Sequence, residues 1–520
     1  MPGIGSILER NARRVPNREA LVFGGRRFTY VQLDAAVNRA ARVLQRLGVE
    51  KGDRVALMSP NSDQFVIVFY AGLKLGAVIV PLNPRLAPPE LAYQLIDSGS
   101  RVLVFAPQLK SVVEKVQQQK LPTRHYLATL PCDPFADVVT LSSHESTEPL
   151  GIVVAEKDNA QILYTSGTTG LPKGVLLDHH AVIWAGTNIS LGVGIREGDR
   201  LLHAAPLYHS AELNLFLMAG TLLAGTHVVL PAFEPETVLN VMEQERISVF
   251  FGVPTMYQFL LRQSKITGRD LSAWRIGMYG AAPMPSSVVR EMIAKLSGVQ
   301  LFNLCGLTEM GPGGICLQPH EQLSKMGAGG KPIVNTEARV VDENMRDVRP
   351  GEVGEWILRG ETMMKGYWNN PEATAETIRN GWLFTGDLAT VDAEGYITLV
   401  DRKKDMIITG GMNVYSVEVE NAVRSHPAVA DCAAIGIPHA DYGETVAVVV
   451  TPQEDRELTL AELRHHCAGL ISDYKLPRLL FLGEVPRNVS GKILKYQLRK
   501  TYAEVTRESA TGSLQISVLN

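Results

Sequence analysis

The sequence predicts an α/β protein with a large N-terminal domain of two α/β sheets plus a β-rich subdomain, followed by a small α+β C-terminal domain. Three observations predict it. At 520 residues the chain is too long for one compact core. Residues 17–150, and again 200–310, alternate short apolar runs with helix-like runs, as mainly parallel sheets do. Residues 332–400 are richer in glycine, turns and β-branched side chains, and a new α/β pattern starts after Asp401-Arg402-Lys403-Lys404-Asp405. A charged run by itself reads as solvated surface. The restart behind it makes Lys404 the natural boundary, dividing the chain into 1–403 and 404–520.

The elements follow in order. Ala20–Phe23 reads as a strand, Gly24-Gly25 as a hairpin turn and Arg27–Tyr30 as its partner. Behind Thr29, Leu33, Val37, Ala40, Ala41 and Leu44 share one face of an amphipathic helix. Val55–Met58 is a buried strand. Phe65–Leu82 is apolar but carries Lys74 and is punctuated by Gly72, Gly76 and Pro81, so it reads as helix, turn and strand rather than a membrane span. Strands are expected at 200–204, 227–230, 249–252, 275–279 and 301–304, with helices at 213–224, 235–246, 254–264 and 286–295. In the small domain the pattern predicts helices at 417–425 and 460–469 and strands at 429–436 and 445–451.

Composition narrows the function classes. A net charge of −3 offers no basic stripe for nucleic acid. Five cysteines without a C-x-x-C spacing support neither a disulfide framework nor a zinc site, and fit a reducing, cytoplasmic setting. The N-terminus lacks the apolar core of a signal peptide. No integral membrane segment is expected, and a homodimer is compatible with the sequence.

The stretch Tyr164-Thr165-Ser166-Gly167-Thr168-Thr169-Gly170-Leu171-Pro172-Lys173-Gly174 carries the chemistry. Gln161–Leu163 before it and Val175–Leu177 behind it read as strands. Glycines let successive N–H groups converge into an anion nest. The hydroxyls of Thr165, Ser166, Thr168 and Thr169 add donors, and Lys173 adds a mobile positive charge. Such a loop suits a polyphosphate, although the same residues also make ordinary turns. A Walker-type loop would need Ser or Thr after the lysine and a helix. Here Gly174 and a β-branched run follow, so that reading is rejected.

The string closely resembles the phosphate loop of the adenylate-forming superfamily: acyl-CoA synthetases, peptide-synthetase adenylation domains and luciferases. The likeness runs from about residue 10 to residue 500, with the motifs in family order. It implies that Thr165, Ser166, Gly167, Thr168, Thr169, Gly170 and Lys173 hold the phosphates of ATP. Gly280-Ala281-Ala282 would lie along the adenine. In Asn303-Leu304-Cys305-Gly306-Leu307-Thr308-Glu309, the residues Asn303, Cys305, Gly306 and Leu307 would line the nucleotide and Thr308 would contact the α-phosphate. Glu309, with Thr165, would hold Mg2+. Most relatives carry an adenine-stacking aromatic residue where this chain has Cys305. Asp387 matches the aspartate that binds the ribose hydroxyls, and Arg402 a ribose- and phosphate-side arginine. His209, in Pro206-Leu207-Tyr208-His209-Ser210, matches the histidine that gates the acyl pocket. Amino-acid-activating relatives have an aspartate next along. Ser210 and Ala211 stand here, which disfavours amino acids, with Glu212 as the reservation. Met364–Glu372 matches a further family signature, read as structural.

The resemblance also implies a mobile small domain with its hinge near Lys404. Lys492, in Pro486–Lys492, would reach the active site and bridge the substrate carboxylate and the α-phosphate, where charge gathers during attack. Gly410 and Gly411 would later line a tunnel for CoA. The expected reaction is ATP-dependent activation of a carboxylic acid to an acyl-adenylate, then transfer to CoA, with release of AMP and pyrophosphate. Met278, Ala281, Ala282, Met284 and the glycines near Gly311 suggest an apolar, roomy acyl pocket, hence a fatty or otherwise hydrophobic acid, with aryl or alicyclic acids next. No carrier domain follows in this chain, so a stand-alone enzyme is expected. Two other readings stay open: an amide ligase passing the acyl group to an amine, and a non-catalytic nucleotide-binding regulator.

Overall fold

The computed structural model describes residues 3–165, 171–263, 266–282, 284–439, 441–454, 456–487, 493–509 and 517–518. By compactness the chain divides into two units. One comprises Met1–Ala338 with Leu358–Phe384, the other Arg339–Ile357 with Thr385–Asn520. This cut is drawn on packing; the one at Lys404 is drawn on a charge run and a restart.

The first unit contains two mainly parallel sheets. One has seven strands in the order Gly366–Tyr367, Lys173–Asp178, Asn159–Thr165, Val78–Leu82, Arg54–Met58, Val102–Phe105 and His125–Ala128. The other has nine: Lys331–Pro332, Gly314–Leu317, Gln300–Gly306, Ile276–Gly280, Val249–Gly252, Arg200–His203, Thr226–Val229, Glu19–Phe23 and Arg26–Thr29. The hairpin Glu19–Thr29 thus joins the sheet built from residues 200–332, with Leu21 opposite His227, and not its neighbours in sequence. Period-two patterning states which side chains are buried but not which strand they pair with.

Local chemistry sets the element ends. Thr29 and Gln32 form a reciprocal capping box at the start of Tyr30–Arg46. Ser62 caps Asp63–Leu75, which ends on left-handed Gly76. That helix is buried along its whole length. Its Lys74 pairs with the Asp34 carboxylate at 2.6 Å and donates to the Asn38 amide oxygen at 2.7 Å, so the buried cation is both neutralised and hydrogen-bonded. Among the described residues no helix is long and apolar enough to cross a membrane.

The expected helix at 213–224 is instead a π-helical segment, Ala211–Leu217, running into a short α-helix, Met218–Leu222. Wide π turns recur near functional sites, and this one follows His209 directly.

A five-stranded sheet comprises Thr336–Val341, Val353–Gly360, Trp382–Val391, Ile378–Arg379 and Ile397–Arg402. Its first three strands contribute residues to both units. The second unit also holds a six-stranded sheet around the antiparallel pair Val429–His439 and Gly443–Pro452. Helices Ser416–Arg424 and Leu460–Ala468 pack Val419, Val423, Leu463 and Cys467 against it.

Candidate active site

In the first unit, Thr165 ends one strand and Lys173 opens the next, paired across an antiparallel hairpin. A strand and not a helix follows the lysine. Ser166, Gly167, Thr168, Thr169 and Gly170 lie outside the described residues. The hairpin is held at both ends. Before the loop, the Tyr164 hydroxyl donates to Asp97 at 2.6 Å. After it, the Tyr93 hydroxyl donates to the Pro172 carbonyl at 3.0 Å, and the Trp368 N–H to the Gly174 carbonyl at 2.7 Å.

The motif around Thr308 sits where parallel sheets bind ligands, past the carboxyl end of Gln300–Gly306. The neighbouring strand ends at Gly280, where a side chain would meet the Leu304 carbonyl at 2.1 Å. Ala281 follows with φ +67°, a left-handed conformation that L-residues avoid. Replacing Ala281 by Val, whose branched side chain fits that region worse, should cost about 1–3 kcal/mol, seen as a lower Tm, while Gly is accommodated. Asn303 donates to the Ala328 carbonyl at 3.2 Å, and Cys305 is partly buried opposite Ile315.

The histidine segment meets this motif. Asn61 accepts from the Leu207 N–H and donates to the Ala205 carbonyl, both at 2.8 Å, so the loop before His209 is pinned. Ser210 and Thr308 then share a hydroxyl–hydroxyl hydrogen bond of 3.0 Å. His209 stacks at a tilt on Tyr208, with ring centroids 4.5 Å apart. Its Nε2 is buried without a partner, and burial pushes the imidazole down to about 4. It is neutral at pH 7, with one nitrogen unsatisfied.

Glu212 does not face a substrate ammonium as an aspartate would. It contacts His203 Nδ1 at 2.7 Å; His203 Nε2 meets His227 Nδ1 at 2.9 Å, and His227 Nε2 meets Thr221 at 3.0 Å. Burial raises the Glu212 carboxyl well above its ordinary value and lowers both imidazoles. With Glu212 protonated and both rings neutral, each donor in the chain finds one acceptor, so no charge is buried.

Two expectations about the acyl pocket change. The glycines after Glu309 do not open space. A side chain at Gly311 would lie 2.5 Å from the Thr362 carbonyl, at Gly313 2.8 Å from the Thr362 hydroxyl, and at Gly314 2.2 Å from the Cys305 carbonyl. They let backbones touch. Met278 and Met284 also part company. Met278 belongs to an apolar cluster with Ala205, Leu215, Phe216, Phe302 and Leu304. Met284 packs in another, around Phe250 and Trp274.

Glu309 and Lys173 meet through a residue that the sequence reading took as structural. The Tyr367 hydroxyl donates to Glu309 Oε1 at 2.9 Å, and Lys173 Nζ lies 4.9 Å from the centroid of the same ring. Burial, then the Glu309 charge, raise the Tyr367 hydroxyl above its ordinary value, so it keeps its proton and donates. The available signal was a tyrosine beside glycine in a turn-rich run. It names no partner.

In the second unit, Asp387 and Arg402 lie opposite each other on paired strands, with Arg402 Nε 3.2 Å from Asp387 Oδ1. Gly410 and Gly411, at φ +56° and +78°, make the two-residue turn between Ile407–Thr409 and Met412–Val414, as a primed hairpin turn requires. Lys492 lies outside the described residues.

Residues 8–368 match the AMP-binding enzyme family, and residues 418–492 match the AMP-binding enzyme C-terminal domain. The chain belongs to this family. It is 38% identical to the feruloyl-CoA synthase of Amycolatopsis sp over 96% of this chain and 99% of that one. With the long-chain-fatty-acid–CoA ligase FadD13 of Mycobacterium tuberculosis (strain ATCC 25618 / H37Rv) it shares 36% over 97% and 99%. Among solved structures, it is similar to the Bacillus subtilis o-succinylbenzoate CoA synthetase MenE in complex with the acyl-adenylate intermediate OSB-AMP. That match has a TM-score of 0.86 at 31% identity, covering 96% of this chain and 98% of that one. The AMP-binding enzyme described here is an AMP-forming acid–thiol ligase. It activates a carboxylic acid with ATP as an acyl-adenylate and transfers the acyl group to CoA.

Proposed function

We propose that this ligase takes a hydrophobic carboxylic acid, fatty or aromatic, and that adenylation occurs where the His209 segment meets Thr308. The Ser210–Thr308 hydrogen bond carries this reading, since it joins the two motifs. Phe216, Met278, Phe302 and Leu304 share one apolar cluster among these elements, and Glu212 is neutral and engaged with His203. The relatives named for ferulate and for long-chain fatty acids fit the same class.

In this reading Lys173 and the hydroxyls of its loop hold the polyphosphate. Asp387 accepts from the ribose hydroxyls, with Arg402 beside it, and neutral His209 orients the acid. The carboxylate oxygen attacks the α-phosphorus. A carboxyl–phosphate bond forms, the bond to the bridging oxygen breaks, and pyrophosphate leaves. Positioning and charge neutralisation supply most of the acceleration. Lys492 steadies the charge on the reacting oxygens. The CoA sulfur then attacks the acyl carbon and AMP departs. Lys404 serves as the hinge. Its carbonyl accepts from Arg499 at 3.3 Å, Asp405 pairs with the same arginine, and burial lowers the Lys404 ammonium to about 8.

Mg2+ fits the donors present. Glu309 and Thr165 offer only oxygen, and no group of three or more acidic, histidine or cysteine side chains forms a metal cage among the described residues. That suits an ion held by one carboxylate, phosphate oxygens and water. When bound, it would offset charge on the polyphosphate. Five cysteines without a C-x-x-C spacing support a reducing, cytoplasmic setting.

The test is a carboxylic acid panel with ATP, Mg2+ and CoA, reading acyl-CoA formation. Apolar acids should lead by kcat/KM. Preference for short polar acids or amino acids would overturn the assignment.

A further inference from the structure

A free phosphate site has a difficulty that Glu309 and Lys173 illustrate. A carboxylate and an ammonium facing the same ligand attract each other when the ligand is absent. If they pair directly, ATP must break that pair to enter. Yet no ion pair joins Lys173 to Glu309 among the described residues. The Tyr367 side chain engages both instead, Glu309 through its hydroxyl and Lys173 through its ring face.

The ring is itself anchored. Gly366–Tyr367 adds a two-residue strand to Lys173–Asp178, with Tyr367 opposite Val175 and Gly366 opposite Leu176. The Tyr367 N–H donates to Thr374 at 2.8 Å. Next door, the Trp368 indole and the Asn369 amide both donate to the Asp97 carbonyl, at 3.0 and 3.1 Å. The Met364 N–H donates to the Glu309 carbonyl at 2.9 Å. One short segment therefore fixes the exit of the phosphate hairpin and the turn that carries Glu309.

We propose that Tyr367 is a positioning residue for adenylation: it orients the Glu309 carboxylate toward the metal–nucleotide complex and holds Lys173 apart from it, so that both charges are available to the incoming polyphosphate. This rests on the reading that Glu309 is the Mg2+ ligand. The hydroxyl acts on the carboxylate; the ring face acts on the ammonium.

The two arms are separable by substitution. Tyr367→Phe keeps the ring over Lys173 and removes the hydrogen bond to Glu309. The half-saturating Mg2+ concentration in carboxylate-dependent pyrophosphate exchange should rise by about tenfold, the scale of one hydrogen bond to a charged group. The maximal rate at saturating Mg2+ should change far less. Tyr367→Leu removes both arms and should add about a threefold rise in the KM for ATP. Thioester formation from supplied acyl-adenylate uses neither group and should be unchanged in both variants, whereas general misfolding would lower it too. Glu309→Gln is the reference. If it shifts the Mg2+ requirement and Tyr367→Phe does not, the proposal is overturned and the metal assignment stands. If Glu309→Gln itself leaves the Mg2+ requirement unchanged, the metal assignment fails and this inference falls with it.

Discussion

Lys492→Ala should lower adenylation by about a hundred- to thousandfold, the equivalent of about 3–4 kcal/mol for one lost transition-state donor. As the carboxylate attacks phosphorus, two anionic groups are brought together, and the charge is spread over the oxygens around the α-phosphorus. A fixed ammonium there binds the transition state more tightly than the separate substrates, and only that difference accelerates the step. Thioester formation has another demand. The thiol attacks a carbonyl whose leaving group, AMP, is already built. In the two-conformation reading Lys492 has by then left the site. Supplied with acyl-adenylate and CoA, the variant should keep most of its rate. Pyrophosphate exchange and acyl-CoA release from adenylate, measured on one preparation, separate the cases. Equal loss in both half-reactions would remove the domain rotation about Lys404.

Acid should destabilise the protein well before its carboxylates account for it. Three buried histidines and the half-buried His209, whose Nε2 is enclosed, are held below the ordinary value of 6.5: His179 and His209 at about 4, His227 at about 3 and His203 well below it, each chiefly by desolvation. The sign follows from where protons bind. Below pH 6.5 the unfolded chain protonates these rings and the folded chain does not, so stability falls as pH drops. Glu212 opposes this, because its folded-state value is raised above 4.5 and it keeps its proton where the unfolded chain loses one. At about 1.4 kcal/mol per group per pH unit, the net slope near pH 5 is about 4 kcal/mol per unit. Against a total of about 5–15 kcal/mol, one or two pH units are decisive. Denaturation curves from pH 7 to pH 4.5 should show this slope, and His209→Ala should remove about 1.4 kcal/mol per unit of it. A level profile across that window would contradict neutral burial of the four rings.

The hairpin of the candidate site was legible because its residues leave a dense local signal. Glycines, hydroxyls and one lysine between two apolar runs mark the hairpin from Thr165 to Lys173, and the β-branched residues after Gly174 announce a strand where a Walker loop would have a helix. Glu212 could be noticed in the sequence but not resolved. Whether it met a substrate or His203 depended on a strand and a helix-like turn coming together. The glycines at 311–314 invited a reading as empty space, since a missing side chain looks alike whether it faces a ligand or the backbone of Thr362.

By itself the sequence determined the local levels of this protein: the α/β alternation, the helix that follows Thr29, and the family motifs in their order. These depend on residues a few positions apart, where spacing and backbone preference suffice. Only the tertiary structure decided that the hairpin at Glu19–Thr29 pairs with Thr226–Val229, that Met278 and Met284 serve different clusters, and that Tyr367 contacts both Lys173 and Glu309. Each joins segments far apart in the chain. Hydrophobic patterning says that a face will be buried, and packing alone selects the face it meets.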